Sequence, residues 1–129
     1  MKSIILPIKS KYVEKILSSE KKYEYRKTLC SKDIERIYIY ETSPVKKIVG
    51  EAYIDKKIFL DKEVLWNMSK DFSGINKLDY DKYFSKQEKA GAYSIKSVKK
   101  YKTPITLDSI GINYTPQSFV YFDEEIYCD

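Results

Sequence analysis

No histidine occurs anywhere in this chain of 129 residues, and that absence removes several chemistries at once. Ser-His-Asp and Cys-His nucleophilic catalysis, histidine general bases and the usual catalytic zinc sites are excluded. Any chemistry falls to Lys, Glu, Asp, Tyr, Ser or Thr, and no metal or organic cofactor is expected. Cysteine is almost as scarce. Cys30 and Cys128 share no metal-ligand spacing and suggest no secreted disulfide framework, so both read as buried or idle thiols. No apolar run approaches the roughly 20 residues of a membrane span, and the N-terminus lacks a signal-peptide core. A cytoplasmic protein without membrane association is the expectation.

Arginine is also rare: 22 of the 24 bases are lysines, and tyrosine and isoleucine are abundant. An AT-rich genome would produce such a composition without selection for binding. The net charge is +5, but four of the 19 acids and none of the bases fall in Asp123 to Asp129, which leaves residues 1–122 at +9. A basic body suggests a polyanionic partner, most naturally nucleic acid. The acidic tail is a candidate docking element for a protein partner. With 43% hydrophobic and 33% charged residues, the composition is that of one globular domain over 1–129.

Along the chain, Ile4, Leu6 and Ile8 alternate as a strand does. Ser10 is placed to cap a helix over 11–18 whose buried stripe is Val13, Ile16 and Leu17. A strand over about 22–27 follows. Ile37 and Ile39, alternating with Tyr38 and Tyr40, predict another. Thr42-Ser43-Pro44 turns the chain into a strand over 46–59, with Ile48, Gly50, Ala52 and Ile54 on one face and a bend or close approach at Gly50. Asp61 caps a helix with Val64, Leu65 and Met68 inward. Asn76, with Asp79 three residues on, starts another helix holding Tyr80, Tyr83 and Phe84. A long strand over 90–102 turns Tyr93 and Ile95 inward, and the spacing from Ile95 to Val98 predicts a bulge. A short helical turn over 107–110 and a strand over 119–122 complete the chain. About six mostly antiparallel strands with interposed helices make an α+β domain whose small mixed sheet is expected to curl into a barrel, although an open sheet would read similarly.

One stretch concentrates polar chemistry: Ser19, Lys21, Glu24 and Arg26. Residues two apart on a strand share a face, so Glu24 and Arg26 project together while Tyr23 and Tyr25 project opposite. The pair offers an acceptor beside a fork of donors, although a solvated strand face would use the same residues. Lys96, Lys99, Lys100 and Lys102 form a second basic cluster, read as edge-strand lysines that deter aggregation.

Ser19-x-Lys21-x-x-Glu24-x-Arg26 resembles the Gly-x-Lys-x-x-Glu-x-Arg signature of the ASCH family in the PUA-like superfamily, with serine in the glycine's place. Ile37 to Tyr40 with Ser43-Pro44-Val45, Ile48-Val49-Gly50-Glu51, Leu65-Trp66, Tyr80 to Phe84 and Pro116 to Phe119 extend the resemblance in order. The resemblance implies a PUA-like pseudo-barrel with a basic cleft beside the first helix that binds RNA or a single nucleotide, in RNA metabolism or regulation. It places Lys21, Glu24 and Arg26 in the cleft, Ser43, Gln117 and Ser118 on its rim, and Tyr25 or Tyr93 where a base could stack. Some relatives are ribonucleases, for which Lys21, Glu24 and Ser118 are the catalytic candidates. Others are amidohydrolases acting on an acetylated cytidine, but Glu24 occupies the position of their threonine nucleophile and argues against that activity here. Whether the chain is an enzyme is left open, with binding favoured. A protein-interaction module in transcription or translation control is the second alternative.

Overall fold

In a computed structural model, which describes residues 1–127, the first apolar alternation forms β1, Ser3–Ile8. All six of its residues are buried. Ile4, Leu6 and Ile8 join one core and Ile5 another, so both faces of this strand are covered. Helix α1, Ser10–Leu17, lays Val13 and Ile16 on the first core. Its start differs from the expectation: Lys9 occupies the cap position, no side chain caps the helix, and Ser10 is the first helical residue.

The helix ends at Ser18, and the next residue, Ser19, has φ of 66°. A left-handed serine after a helix carries the strain that glycine escapes. Ser19→Gly is therefore expected to stabilise the domain by about 0.5–1 kcal/mol in chemical denaturation, as relief of αL strain outweighs the extra freedom of the unfolded glycine. A loss of stability would show that Ser19 Cβ or Oγ makes a contact that matters more than the strain.

The remaining elements are β2, Tyr23–Arg26; β3, Arg36–Glu41; β4, Lys47–Asp61; α2, Lys62–Ser69; α3, Lys77–Tyr83; β5, Lys89–Ile105; and β6, Val120–Tyr121. Short 3-10 turns occupy Lys70–Phe72 and Asp108–Ile110. The strands form one mixed sheet in the order β2-β5-β4-β3-β1-β6. β1 and β3 run parallel; the other pairings are antiparallel. The expected α+β class, strand count and interposed helices are all present. The sheet is not closed into a barrel. Its edges, β6 with two residues and β2 with four, do not pair with each other, and strands so short offer too few ladder bonds to seal one.

Three register shifts shape the long β4–β5 pair. The shift at Tyr53/Ile54, which passes over Lys96, realises the bulge expected beyond Ile95, and a second at Ile54/Lys56 passes over Asp55 on β4. A third, between Ile48 and Gly50, turns Ile48 to the second core, with Tyr38, Tyr40 and Tyr101, while Val49, Ala52 and Ile54 join the first. The single apolar face expected from Ile48 to Ile54 is broken there. Gly50 makes the close approach its position suggested, since a β-carbon on it would lie 2.6 Å from the Lys99 carbonyl.

Helices α2 and α3 form an insertion between β4 and β5. Asp61 caps α2 through Glu63 N–H at 2.9 Å and Val64 N–H at 3.2 Å, and Asn76 caps α3 through Asp79 N–H at 2.8 Å. Leu65, Tyr80 and Phe84 pack on Tyr25, Ile58, Ala90 and Ala92 as a third core. Val64 and Met68, expected inward, are 53% and 47% exposed. So short a helix sets one narrow stripe on the sheet, and Leu65 and Ser69 fill it. No helix among the described residues is long and apolar enough to cross a membrane. The expectation for Cys128 lies outside the described residues; Cys30 is buried and free.

Candidate functional site

β2 pairs with β5 so that Glu24 stands opposite Tyr93 and Tyr25 opposite Ala92. Glu24 and Arg26 share a face, as their spacing requires. Arg26 donates to Glu24 Oε2 through Nε at 3.1 Å and Nη2 at 2.9 Å. The same Nη2 donates to the Pro7 carbonyl, which ties the edge strand β2 to the end of β1. The glutamate side chain is 7% exposed and the arginine 20%, so the pair is shielded from water while the guanidinium still reaches an opening.

That opening is a cleft of about 460 Å³, lined by β1's end, the start of α1, β2 and α3. Lys9, Lys11, Lys21 and Arg26 line it together with Glu24 and Asp79, two acids among four bases. Tyr12, Tyr25 and Tyr83 supply ring surface, Pro7 and Ile75 apolar surface, and Thr42 and Gln117 the rim. The volume falls within the roughly 300–1,000 Å³ of pockets that hold a small organic ligand.

Lys21 is the most enclosed of the four bases, at 2% exposure. Its Nζ donates to the Ser73 carbonyl at 2.5 Å and sits 4.7 Å from the Tyr25 ring and 5.3 Å from that of Tyr12. Burial brings the ammonium down to about 8, with Glu24 opposing the shift. Tyr25 is pushed up to about 12 by burial. Its hydroxyl lies 2.6 Å from Ser69 Oγ, whose proton goes to the Leu65 carbonyl at 2.6 Å. Tyr25 must therefore be the donor, and it stays protonated. Tyr83 is also raised by burial, and its hydroxyl accepts from Lys27 N–H.

Of the residues singled out in sequence, Lys21, Glu24, Tyr25, Arg26 and Gln117 meet in the cleft. Three others lie elsewhere. Tyr93 is fully buried in the first core with its hydroxyl accepting from Cys30 N–H at 2.8 Å, so no base can stack on it. Ser43 and Ser118 are exposed and do not line the opening; their neighbours Thr42 and Gln117 do. Lys96, Lys99, Lys100 and Lys102 are exposed on β5 and are not part of it. Pro7, Lys9, Lys11, Tyr12, Asp79 and Tyr83 were not foreseen. The i, i+4 spacing of Asp79 and Tyr83 puts them on one helix face, a signal that becomes useful only once α3 is known to cover the cleft. Among the described residues no group of three or more cysteines and acids converges as metal ligands.

No family model matches the sequence. A segment of ATP synthase subunit alpha of Ureaplasma parvum serovar 3 is 30% identical over 120 residues, and the chain spans only 15% of that protein's length. An ASCH domain-containing ribonuclease of Zymomonas mobilis is 29% identical over 129 residues, covering 96% of this chain and 86% of the relative. The crystal structure of ASCH from the same organism superposes with a TM-score of 0.87 at 28% identity, covering 95% of this chain and 88% of that one. Similarity along nearly the full length, in sequence and in architecture, supports an ASCH domain in this chain.

Proposed function

We propose that this ASCH domain binds single-stranded RNA, seating one nucleotide in the cleft and serving RNA metabolism or its regulation. The observation that carries the reading is the convergence of Lys9, Lys11 and Arg26 around Glu24 at an opening of nucleotide size. The cations neutralise phosphate, Gln117 donates to and accepts from a base edge, and Tyr12 or Tyr83 offers a ring to stack on. Glu24, an acceptor held by Arg26, suits an amino group on the base and disfavours a carbonyl at the same place.

Binding of this kind depends on salt. With three cations on phosphates, the logarithm of the association constant is expected to fall against the logarithm of salt concentration with a slope of roughly 2. Fluorescence anisotropy with a short labelled RNA over a salt series measures it. An affinity indifferent to salt, or no binding at low salt, would remove nucleic acid as the ligand.

A second reading, ribonuclease, is favoured by the name of the Zymomonas mobilis relative. Lys21, at about 8, exchanges its proton near neutral pH and lies beside Glu24. RNA cleavage by wild type that disappears in Lys21→Met would promote this reading over binding alone. The acidic tail gives less support to a protein-docking role. Asp123 Oδ1 accepts from Ser3 N–H at 3.1 Å and Glu125 Oε2 lies 2.6 Å from Arg36, so both carboxylates are engaged within the chain.

A further inference from the structure

Three consecutive carbonyls of the insertion, those of Phe72, Ser73 and Gly74, accept bonds from the α1–β2 junction. Phe72 O takes Lys22 N–H at 2.9 Å, Ser73 O takes Lys21 Nζ at 2.5 Å, and Gly74 O takes Lys15 Nζ at 3.2 Å. The two lysines are themselves tied together, Lys21 N–H donating to the Lys15 carbonyl at 2.9 Å. Gly74 has φ of 68°, and a β-carbon there would come within 2.6–2.7 Å of Lys21 Cβ, Cγ and Cδ, so the lysine stem lies flat against it. Two residues later Asn76 caps α3, whose Asp79 and Tyr83 line the cleft.

From this arrangement we propose that Lys15 and Lys21 are positioning residues: they clasp the insertion by its carbonyls and so set where the α3 wall stands over the cleft. The proposal rests on the reading of the cleft as the RNA site, but the clasp has consequences of its own. Lys21 uses its charge on a carbonyl from another segment, between two tyrosine rings, and presents almost none of it to solvent. A cation placed in this way acts on the wall rather than directly on a phosphate. Lys15 lies outside the cleft lining and reaches the same turn from the helix.

Hydrogen exchange and RNA dissociation kinetics on the intact chain test the clasp. Lys15→Met removes the bond to Gly74. Loss of a bond from a charged donor is expected to speed amide exchange over residues 73–84 about tenfold, with β1 and β3 unchanged. A short single-stranded RNA of mixed sequence should then leave about threefold faster at an unaltered association rate. Lys15→Arg should restore both. Gly74→Ala, which keeps both lysines but displaces the Lys21 stem, should reproduce the Lys15→Met pattern. Unchanged exchange in both Lys15→Met and Gly74→Ala overturns the proposal. So does faster exchange everywhere, which is ordinary destabilisation, or local loosening with no change in RNA dissociation. If wild type binds no RNA, the reading of the cleft fails, and the exchange pattern alone decides whether the clasp exists.

Discussion

Replacing Arg26 by alanine should cost the domain about 3 kcal/mol, because it leaves the Glu24 carboxylate buried without its partner. Glu24 is 5% exposed, and its Oε2 receives both the Nε and Nη2 bonds of Arg26. The Pro7 carbonyl loses its donor in the same substitution. Arg26→Lys separates charge from geometry. Lysine keeps the positive charge but cannot place two nitrogens on one carboxylate oxygen and a third contact on Pro7. The expectation is a stability loss below about 1.5 kcal/mol for Arg26→Lys, with RNA affinity reduced about tenfold. Urea unfolding and anisotropy titrations measure the two effects. If alanine, lysine and wild type bind RNA equally while all are folded, the motif is structural and the ligand sits elsewhere. A stability change under about 0.5 kcal/mol for Arg26→Ala would mean that the pair behaves as a surface ion pair.

Arg36→Met should be at least as damaging, at about 3–5 kcal/mol, or a fall in Tm on the order of 15 °C for a domain of this size. Arg36 is 4% exposed and lies on the face of the sheet opposite α1. Its Nε donates to Ser3 Oγ at 2.9 Å, and Nη1 lies 3.4 Å from Glu51 Oε2 and 2.6 Å from Glu125 Oε2. The guanidinium also lies over the Tyr38 ring at 4.4 Å. Glu51, 4% exposed, would lose its cationic partner. Glu125 supplies a pH signature. The Arg36 guanidinium holds its carboxyl below the usual carboxylate range. A depressed folded value means that its stabilising contribution is complete above the unfolded value, near 4.5, and is lost as pH falls through the folded one. Thermal melts at falling pH should show this acid limb in wild type and a flatter one in Arg36→Met. A Tm unchanged by the substitution would mean that the cluster is solvated rather than buried.

Much of this was visible in the chain, where local chemistry acts alone. Asp61 and Asn76 announced two helix starts because a side-chain acceptor followed by free N–H groups is a local arrangement. Glu24 and Arg26 share a face because strand alternation needs no tertiary context. The bulge beyond Ile95 appeared as a break in the period of two. Ser10 misled for a local reason as well: Lys9 took the extended cap conformation one residue earlier, and the serine entered the helix. Other features depended on what packs against what. Val64 and Met68 are apolar at helical spacing, yet the sheet accepts only Leu65 and Ser69. Tyr93 was rightly turned inward, but alternation cannot distinguish a cleft from a core. The cleft itself joins Pro7 to Gln117 and α3 to α1, a meeting set by topology. A resemblance to a family could point to β2 and to residues of α3, but not to the covering of one by the other.

The parallel pairing of β1 with β3 and the antiparallel pairing of β1 with β6 have a consequence during synthesis. β1 leaves the ribosome before both of its partners, so Ile4 waits for Ile37 on one edge and Tyr121 on the other. Until residues 120–121 emerge, a strand of continuous apolar residues has an open edge, the condition under which chains pair with the wrong neighbour. Contacts so distant in sequence place such a domain among the slower folders, in the range of about milliseconds to seconds. The two-residue β6, minor in the energetics of the finished sheet, is then the piece that closes β1's open edge.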